Sequence, residues 1–271
     1  MNQIFDIKRV LVDDIDVAYC QFGGGKQNVV ICQGWGTDFK MYKIMADAIS
    51  DKCTVTLFDF PGFGMTREPI NPWTVGDYSQ FLLHFLSALS IDKCSLVGHS
   101  FGGRVAIETA ALSPSSLVVE KLVLVDSAGV MPKRGVKSNV RVKFFKAWRK
   151  FITSPFIYPL FPEVIDDWID RQGSEDYRAA SKIMKQVLVK AVNYDQCRLF
   201  PLVEQPVLLI WGENDDATPL DDAHIMEKGF KDAGLVVIKG AGHFSYAENP
   251  SLFSEVLRSF LIENGETIKG I

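Results

Sequence analysis

Histidine is scarce in this chain of 271 residues, which has four: His84, His99, His224 and His243. None stands in a His-Glu-x-x-His motif and no two pair at ligand spacing, so the sequence offers no metal site. Five cysteines, Cys20, Cys32, Cys53, Cys94 and Cys197, are scattered without a Cys-x-x-Cys pair. An odd, unclustered set argues against a disulfide framework and for reduced thiols in a cytoplasmic protein. Charges interrupt every apolar run before it reaches the roughly 18 residues of a membrane span, and Met1 to Arg9 lacks the apolar core of a secretory leader. The expectation is a soluble, unexported chain. Internal repeats and low-complexity tracts are also missing. The glycine-rich stretches Gly23-Gly24-Gly25 and Gly34-Trp35-Gly36 have neither the P-loop lysine nor dinucleotide-binding spacing. No cofactor and no nucleic-acid partner is implied.

What is present is an ordinary globular composition, 47% hydrophobic and 23% charged with a net charge of −4, enough for a sizeable core. Strand-like runs fall near 7 to 12, 15 to 22, 28 to 32, 54 to 59, 94 to 98, 121 to 126, 206 to 211 and 235 to 239. The first two flank Asp13-Asp14 and read as a hairpin. The later ones alternate with helical patterns at Phe39 to Ser50, Val75 to Ser90, Phe101 to Leu112 and Leu252 to Ile262. That alternation predicts an α/β fold with a mostly parallel sheet covered on both faces. About 75 residues of helix-favouring, aromatic-rich sequence separate the runs at 121 to 126 and 206 to 211, far more than a βα connection needs.

Gly98-His99-Ser100-Phe101-Gly102 lies between the apolar run Cys94 to Val97 and the helical pattern that follows. A serine hydroxyl is a poor nucleophile unless a tight strand-to-helix turn exposes it beside a base and backbone donors. By chance about one chain of this length in ten contains Gly-x-Ser-x-Gly, so the surroundings decide. The run Val207 to Trp211 ends in Gly212-Glu213-Asn214-Asp215, and Leu235 to Ile238 leads into Gly240-Ala241-Gly242-His243. A serine, an acid and a histidine thus each follow an apolar strand, where open α/β sheets bind ligands.

Together with Phe58-Asp59-Phe60-Pro61-Gly62-Phe63-Gly64 and the spacing from Asp215 to Pro219, these motifs resemble the α/β-hydrolase family over nearly the whole chain. The order Ser, Asp, His is that family's triad order. Gln33-Gly34 stands where many members carry His-Gly. The resemblance implies an eight-stranded, mostly parallel sheet. It also implies a core domain of residues 1–130 and 201–271 with a helical cap inserted at 131–200. Ser100 is then the nucleophile, His243 the base and Asp215 the acid that orients it, with Asp126 at the end of an earlier strand as the rival acid. Backbone N–H groups of Phe101 and Trp35 are the expected oxyanion donors, and Trp35, Phe144, Trp148 and Phe244 the expected pocket walls. Asp59 is expected to fix the Pro61-Gly62 turn, while His84 and His224 lie within helical patterns. The implied activity is cleavage of an ester or related acyl bond of a small, partly apolar substrate. The same triad also serves carbon–carbon bond hydrolases, lactonases, amidases and cofactor-free haloperoxidases, and the fold also serves non-enzymatic ligand receptors.

Residues 131 to 150 carry eight bases and no acid, with Val140, Phe144, Trp148 and Phe151 on one helical stripe among them. An amphipathic cap helix with a solvated basic face is the plainer reading, and contact with anionic lipid or guidance of an anionic substrate the alternative.

Overall fold

A computed structural model describes residues 5–131 and 175–262. Eight strands form one sheet: β1 (Lys8–Val12), β2 (Ile15–Phe22), β3 (Gln27–Cys32), β4 (Cys53–Phe58), β5 (Lys93–His99), β6 (Val118–Val125), β7 (Val207–Gly212) and β8 (Ala233–Ile238). Their order is β1-β2-β4-β3-β5-β6-β7-β8. The β1–β2 and β2–β4 pairs are antiparallel and the rest parallel. Asp13 and Asp14 make the predicted hairpin, both at positive φ (47° and 62°), as a two-residue turn between twisted strands demands.

Helices cover both faces: α1 (Lys43–Ile49), α2 (Val75–Ala88), α3 (Phe101–Leu112), α4 (Glu175–Ala179), α5 (Lys182–Val192), α6 (Leu220–Gly229), α7 (Ser245–Glu248) and α8 (Pro250–Leu261). On one side α2, α3 and α6 bury Phe81, Phe85, Val105, Ile107 and Met226 against the sheet. On the other, α1 and α8 bury Met45, Ile49, Phe253 and Leu257. The central strands are largely apolar because both of their faces are covered. Full burial of each such side chain contributes about 1.5–3 kcal/mol.

Most boundaries fall within about two residues of the sequence reading, and two differ in kind. The helical pattern from Phe39 divides into a 3₁₀ turn (Phe39–Tyr42) and then α1. Carboxylates hold that turn, Asp59 accepting from Phe39 N at 2.8 Å and Asp38 from Lys40 N at 2.9 Å. Strand β6 begins at Val118, ahead of the predicted 121, because a register shift between Cys94 and Leu96 lets Val118 and Val119 keep pairing with β5. Among the described residues no helix is long and apolar enough to cross a membrane.

Strand order reverses at β3, which lies between β4 and β5. The loops after β3 and β5 therefore diverge to opposite faces and leave a crevice at the strands' carboxyl ends. The approach of α3 to β3 is close there: a Cβ on Gly102 would lie 2.1 Å from the Cys32 carbonyl oxygen. Backbone cannot yield as a side chain can. Gly102→Ala is expected to cost about 3 kcal/mol and lower the melting temperature by about 6–12 °C in a calorimetric scan.

Candidate active site

Ser100 occupies the turn between β5 and α3 at φ 50°, ψ −114°, a conformation that L-residues rarely adopt. Hydrogen bonds fix it on both sides: its N–H donates to Val125 O at 3.1 Å, and its carbonyl accepts from Gly103 N at 3.0 Å and Ala128 N at 3.1 Å. Gly98 allows the turn to close, since a Cβ there would sit 2.6 Å from the Gly103 Cα. The hydroxyl is thereby held at the N-terminus of α3.

His243, in the loop after β8, reaches that hydroxyl, its Nε2 lying 3.1 Å from Ser100 Oγ. On its other side Nδ1 lies 2.9 Å from Asp215 Oδ2. The carboxylate can only accept, so Nδ1 carries the proton and Nε2 is free to accept from serine. Backbone N–H groups of Ala217 and Thr218 bond Asp215 Oδ1 at 2.8 and 2.9 Å, and the Thr218 hydroxyl lies 2.6 Å from Oδ2. Burial pushes the Asp215 carboxyl up, yet hydrogen bonds from His243 and Thr218 outweigh it and hold the pKa below 3.8. Burial likewise pushes His243 down, but the Asp215 bond and charge outweigh it and raise the imidazole above 6.5.

Asp126 is fully buried at φ 44°, next to this pair but otherwise engaged. Its Oδ1 accepts from Gly212 N at 2.7 Å, and its Oδ2 from Ser245 N at 3.0 Å and Ser245 Oγ at 2.6 Å. It therefore ties the end of β7 to the loop beyond His243, and burial raises its pKa to about 7. His99 is a second such tie. Its Nε2 donates to the His243 carbonyl oxygen at 2.9 Å and its Nδ1 accepts from the Tyr42 hydroxyl at 2.9 Å. Burial first, and the His243 charge second, push its pKa down to about 3, so it stays neutral. Sequence reasoning assigned no part to Tyr42 or Thr218. The hydroxyl three residues past Asp215 was a visible signal for Thr218, whereas nothing local marks Tyr42. His84 and His224 lie on α2 and α6, beside Asp13 and Glu227.

The loop after β3 forms the facing wall. Gly34 N donates to the Tyr42 hydroxyl at 2.7 Å and Gln33 Nε2 to Thr37 O at 2.6 Å. Gln33 Oε1 also accepts from Phe60 N at 3.4 Å, so the residue in the place of the usual histidine braces two loops. The Asp59 carboxylate accepts from Met65 N at 2.8 Å and so closes the Pro61-Gly62 turn. Among the described residues, neither the Trp35 nor the Phe101 N–H has an acceptor. The Trp35 ring packs edge-on against Phe101 and Phe63 at 5.5 and 5.0 Å. A cavity of about 360 Å³ opens over Ser100 and His243, lined among others by Trp35, Phe101, Val130, Leu188 and Phe244. Phe144 and Trp148 lie outside the described residues.

A serine, histidine and carboxylate relay at the ends of parallel strands can be placed among known proteins. Residues 27–250 match the model of the alpha/beta hydrolase fold family. The chain belongs to that family. This alpha/beta hydrolase is 26% identical over 259 residues to a dihydrolipoyllysine-residue acetyltransferase component of an acetoin cleaving system from Cupriavidus necator, covering 92% of this chain and 67% of that protein. It is 26% identical over 256 residues to a 2-hydroxy-6-oxononadienedioate/2-hydroxy-6-oxononatrienedioate hydrolase of a Pseudomonas species, covering 88% of this chain and 89% of that one. Among solved structures, an enol-lactonase from Burkholderia xenovorans superposes with a TM-score of 0.73 at 21% identity, covering 94% of this chain and all of the other.

The two acids can be ranked experimentally. Asp215→Asn removes the group that fixes the His243 tautomer and should depress ester turnover by about 10⁴-fold, whereas Asp126→Asn leaves that contact in place and should cost far less. Wild-type turnover should fall as pH drops through the raised His243 pKa, above 6.5. In Asp215→Asn the residual activity should keep that limb at lower pH, since the carboxylate that favours the imidazolium is gone. A steady-state pH series on a chromogenic ester measures both, and the reverse ranking would move the acid to Asp126.

Proposed function

We propose that the protein is a serine hydrolase cleaving an ester or related acyl bond of a small, partly apolar substrate through an acyl-enzyme on Ser100. The relay itself carries this reading: 2.9 Å from Asp215 to His243 and 3.1 Å from His243 to Ser100. In it His243 takes the Ser100 proton as Oγ attacks the acyl carbon, then delivers that proton to the leaving oxygen. Water, deprotonated by the same imidazole, attacks the acyl-enzyme and releases the acid and free Ser100. Asp215 remains a carboxylate and stabilises the transient imidazolium.

The Trp35 and Phe101 N–H groups are the proposed oxyanion donors, and their lack of acceptors among the described residues supports it. Loss of one such donor costs about 10²–10³-fold in turnover. Residues 131–200 are proposed to be a cap over the cleft. The described part of that segment, α4 and α5, supports this by lining the cavity with Asp176, Leu188, Ala191 and Val192. The relative named for hydrolysis of oxononadienedioates favours a second reading, in which the group leaving the acyl carbon is carbon instead of oxygen.

A fluorophosphonate probe and a p-nitrophenyl butyrate burst assay test the proposal. Ser100→Ala should abolish labelling and lower turnover by about 10⁴–10⁶-fold, with a cooperative melt showing the fold intact. Near-native activity in that variant would remove Ser100 from the chemistry. Labelling without turnover on any ester, lactone or amide would make the protein a binder of this fold.

A further inference from the structure

The cavity beside Ser100 is lined by a buried cation that makes no ion pair among the described residues. Arg104 stands on α3 one turn past Ser100, is 4% exposed, and lines the cavity. Its Nη1 donates to Tyr194 O at 2.6 Å and its Nη2 to Val130 O at 3.4 Å. A guanidinium has five N–H donors in a planar fork, so two carbonyls leave part of it unused. No carboxylate among the described residues forms an ion pair with it. Asp195 and Asp222 act on it only through space, and burial outweighs them, pushing its pKa down to about 10. The group is therefore still charged at neutral pH.

Holding carbonyl oxygens does not require a charge. Gln196, fully buried beside it, does the same work with an amide, donating from Nε2 to Arg104 O at 2.9 Å. An ionised group this deep is costly unless an anion joins it. We infer that Arg104 is the anion-recognition residue of the cavity, and that the acyl portion of the substrate ends in a carboxylate which pairs with its guanidinium. This rests on the serine-hydrolase reading for the word acyl, but not for the anion.

Position narrows the substrate further. Four residues along a helix span about 6 Å of axis, so the carboxylate lies a short chain away from the carbon that Ser100 attacks. A glutarate monoester, with three methylenes between acyl carbon and carboxylate, is a probe of that length. Asp176 and Asp222 also line the cavity.

Two esters that differ only at the far end test this, the p-nitrophenyl monoesters of glutaric acid and of pentanoic acid. Wild type should favour the charged ester in kcat/KM by about 10- to 100-fold, the range of one charge-assisted pair. Arg104→Met should collapse that ratio, and Arg104→Lys should keep part of it. A wild-type ratio near one, or a ratio unchanged in Arg104→Met, would overturn the inference. Calorimetric titration of Ser100→Ala with monomethyl glutarate, with and without Arg104→Met, reads the anion directly. Binding that needs Arg104, found with no hydrolysis of either ester, would sink the hydrolase reading and leave the anion site standing. Absence of binding together with absence of the ratio would sink the site.

Discussion

The close approach of α3 to the edge of the crevice is the constraint on which the rest depends. Ser100 holds a backbone conformation that costs energy, and it persists because three glycines let strand, helix and the β3 loop share one small volume. That geometry fixes three things together. It aims the hydroxyl outward, it leaves the Phe101 N–H at the open end of a helix, and it brings the Trp35 loop alongside. Any side chain that separated α3 from β3 would disturb all three.

Around that turn two carboxylates take opposite characters from their surroundings. Asp215 faces an imidazole and a threonine and is held low, while Asp126 faces backbone and a serine hydroxyl and is driven up by burial. Their separation in acidity reflects partners, since both follow strands of the same sheet and both are buried. The Asp126 carboxylate joins the strand end that leads to Asp215 to the loop beyond His243. His99 does similar work from β5 by holding the backbone of His243. The imidazole is thus supported through its ring on one side and through its main chain on another.

Most of this architecture was readable from spacing. All eight strands appear at the apolar runs, and Ser100, Asp215 and His243 meet because each follows a strand that ends at the same edge. The α3 boundaries match the sequence pattern, since Gly102 and Gly103 mark its start and apolar residues continue to Leu112. Contacts that cross long stretches of chain were less legible. Tyr42 reaches His99 over 57 residues, and nothing near Tyr42 announces a polar partner. Nothing in the sequence marks Arg104, because sequence alone does not show that its side of the helix is buried. Asp126 looked like a rival acid, because a carboxylate after a strand looks the same whether it meets imidazole or backbone.

The distance in sequence between nucleophile and base, 143 residues, has a consequence for the chain during its own synthesis. At about 5–20 residues per second, His243 is made roughly 7 to 29 s after Ser100. Throughout that interval the emerging chain holds Ser100 without His243, and β7 and β8, which end the sheet, are made before the histidine. The proposed relay is therefore complete only after the last strands, when the sheet that supports it can close. A truncated product ending before β8 would lack His243, and with it the proposed relay, whatever part of the earlier sheet it had assembled.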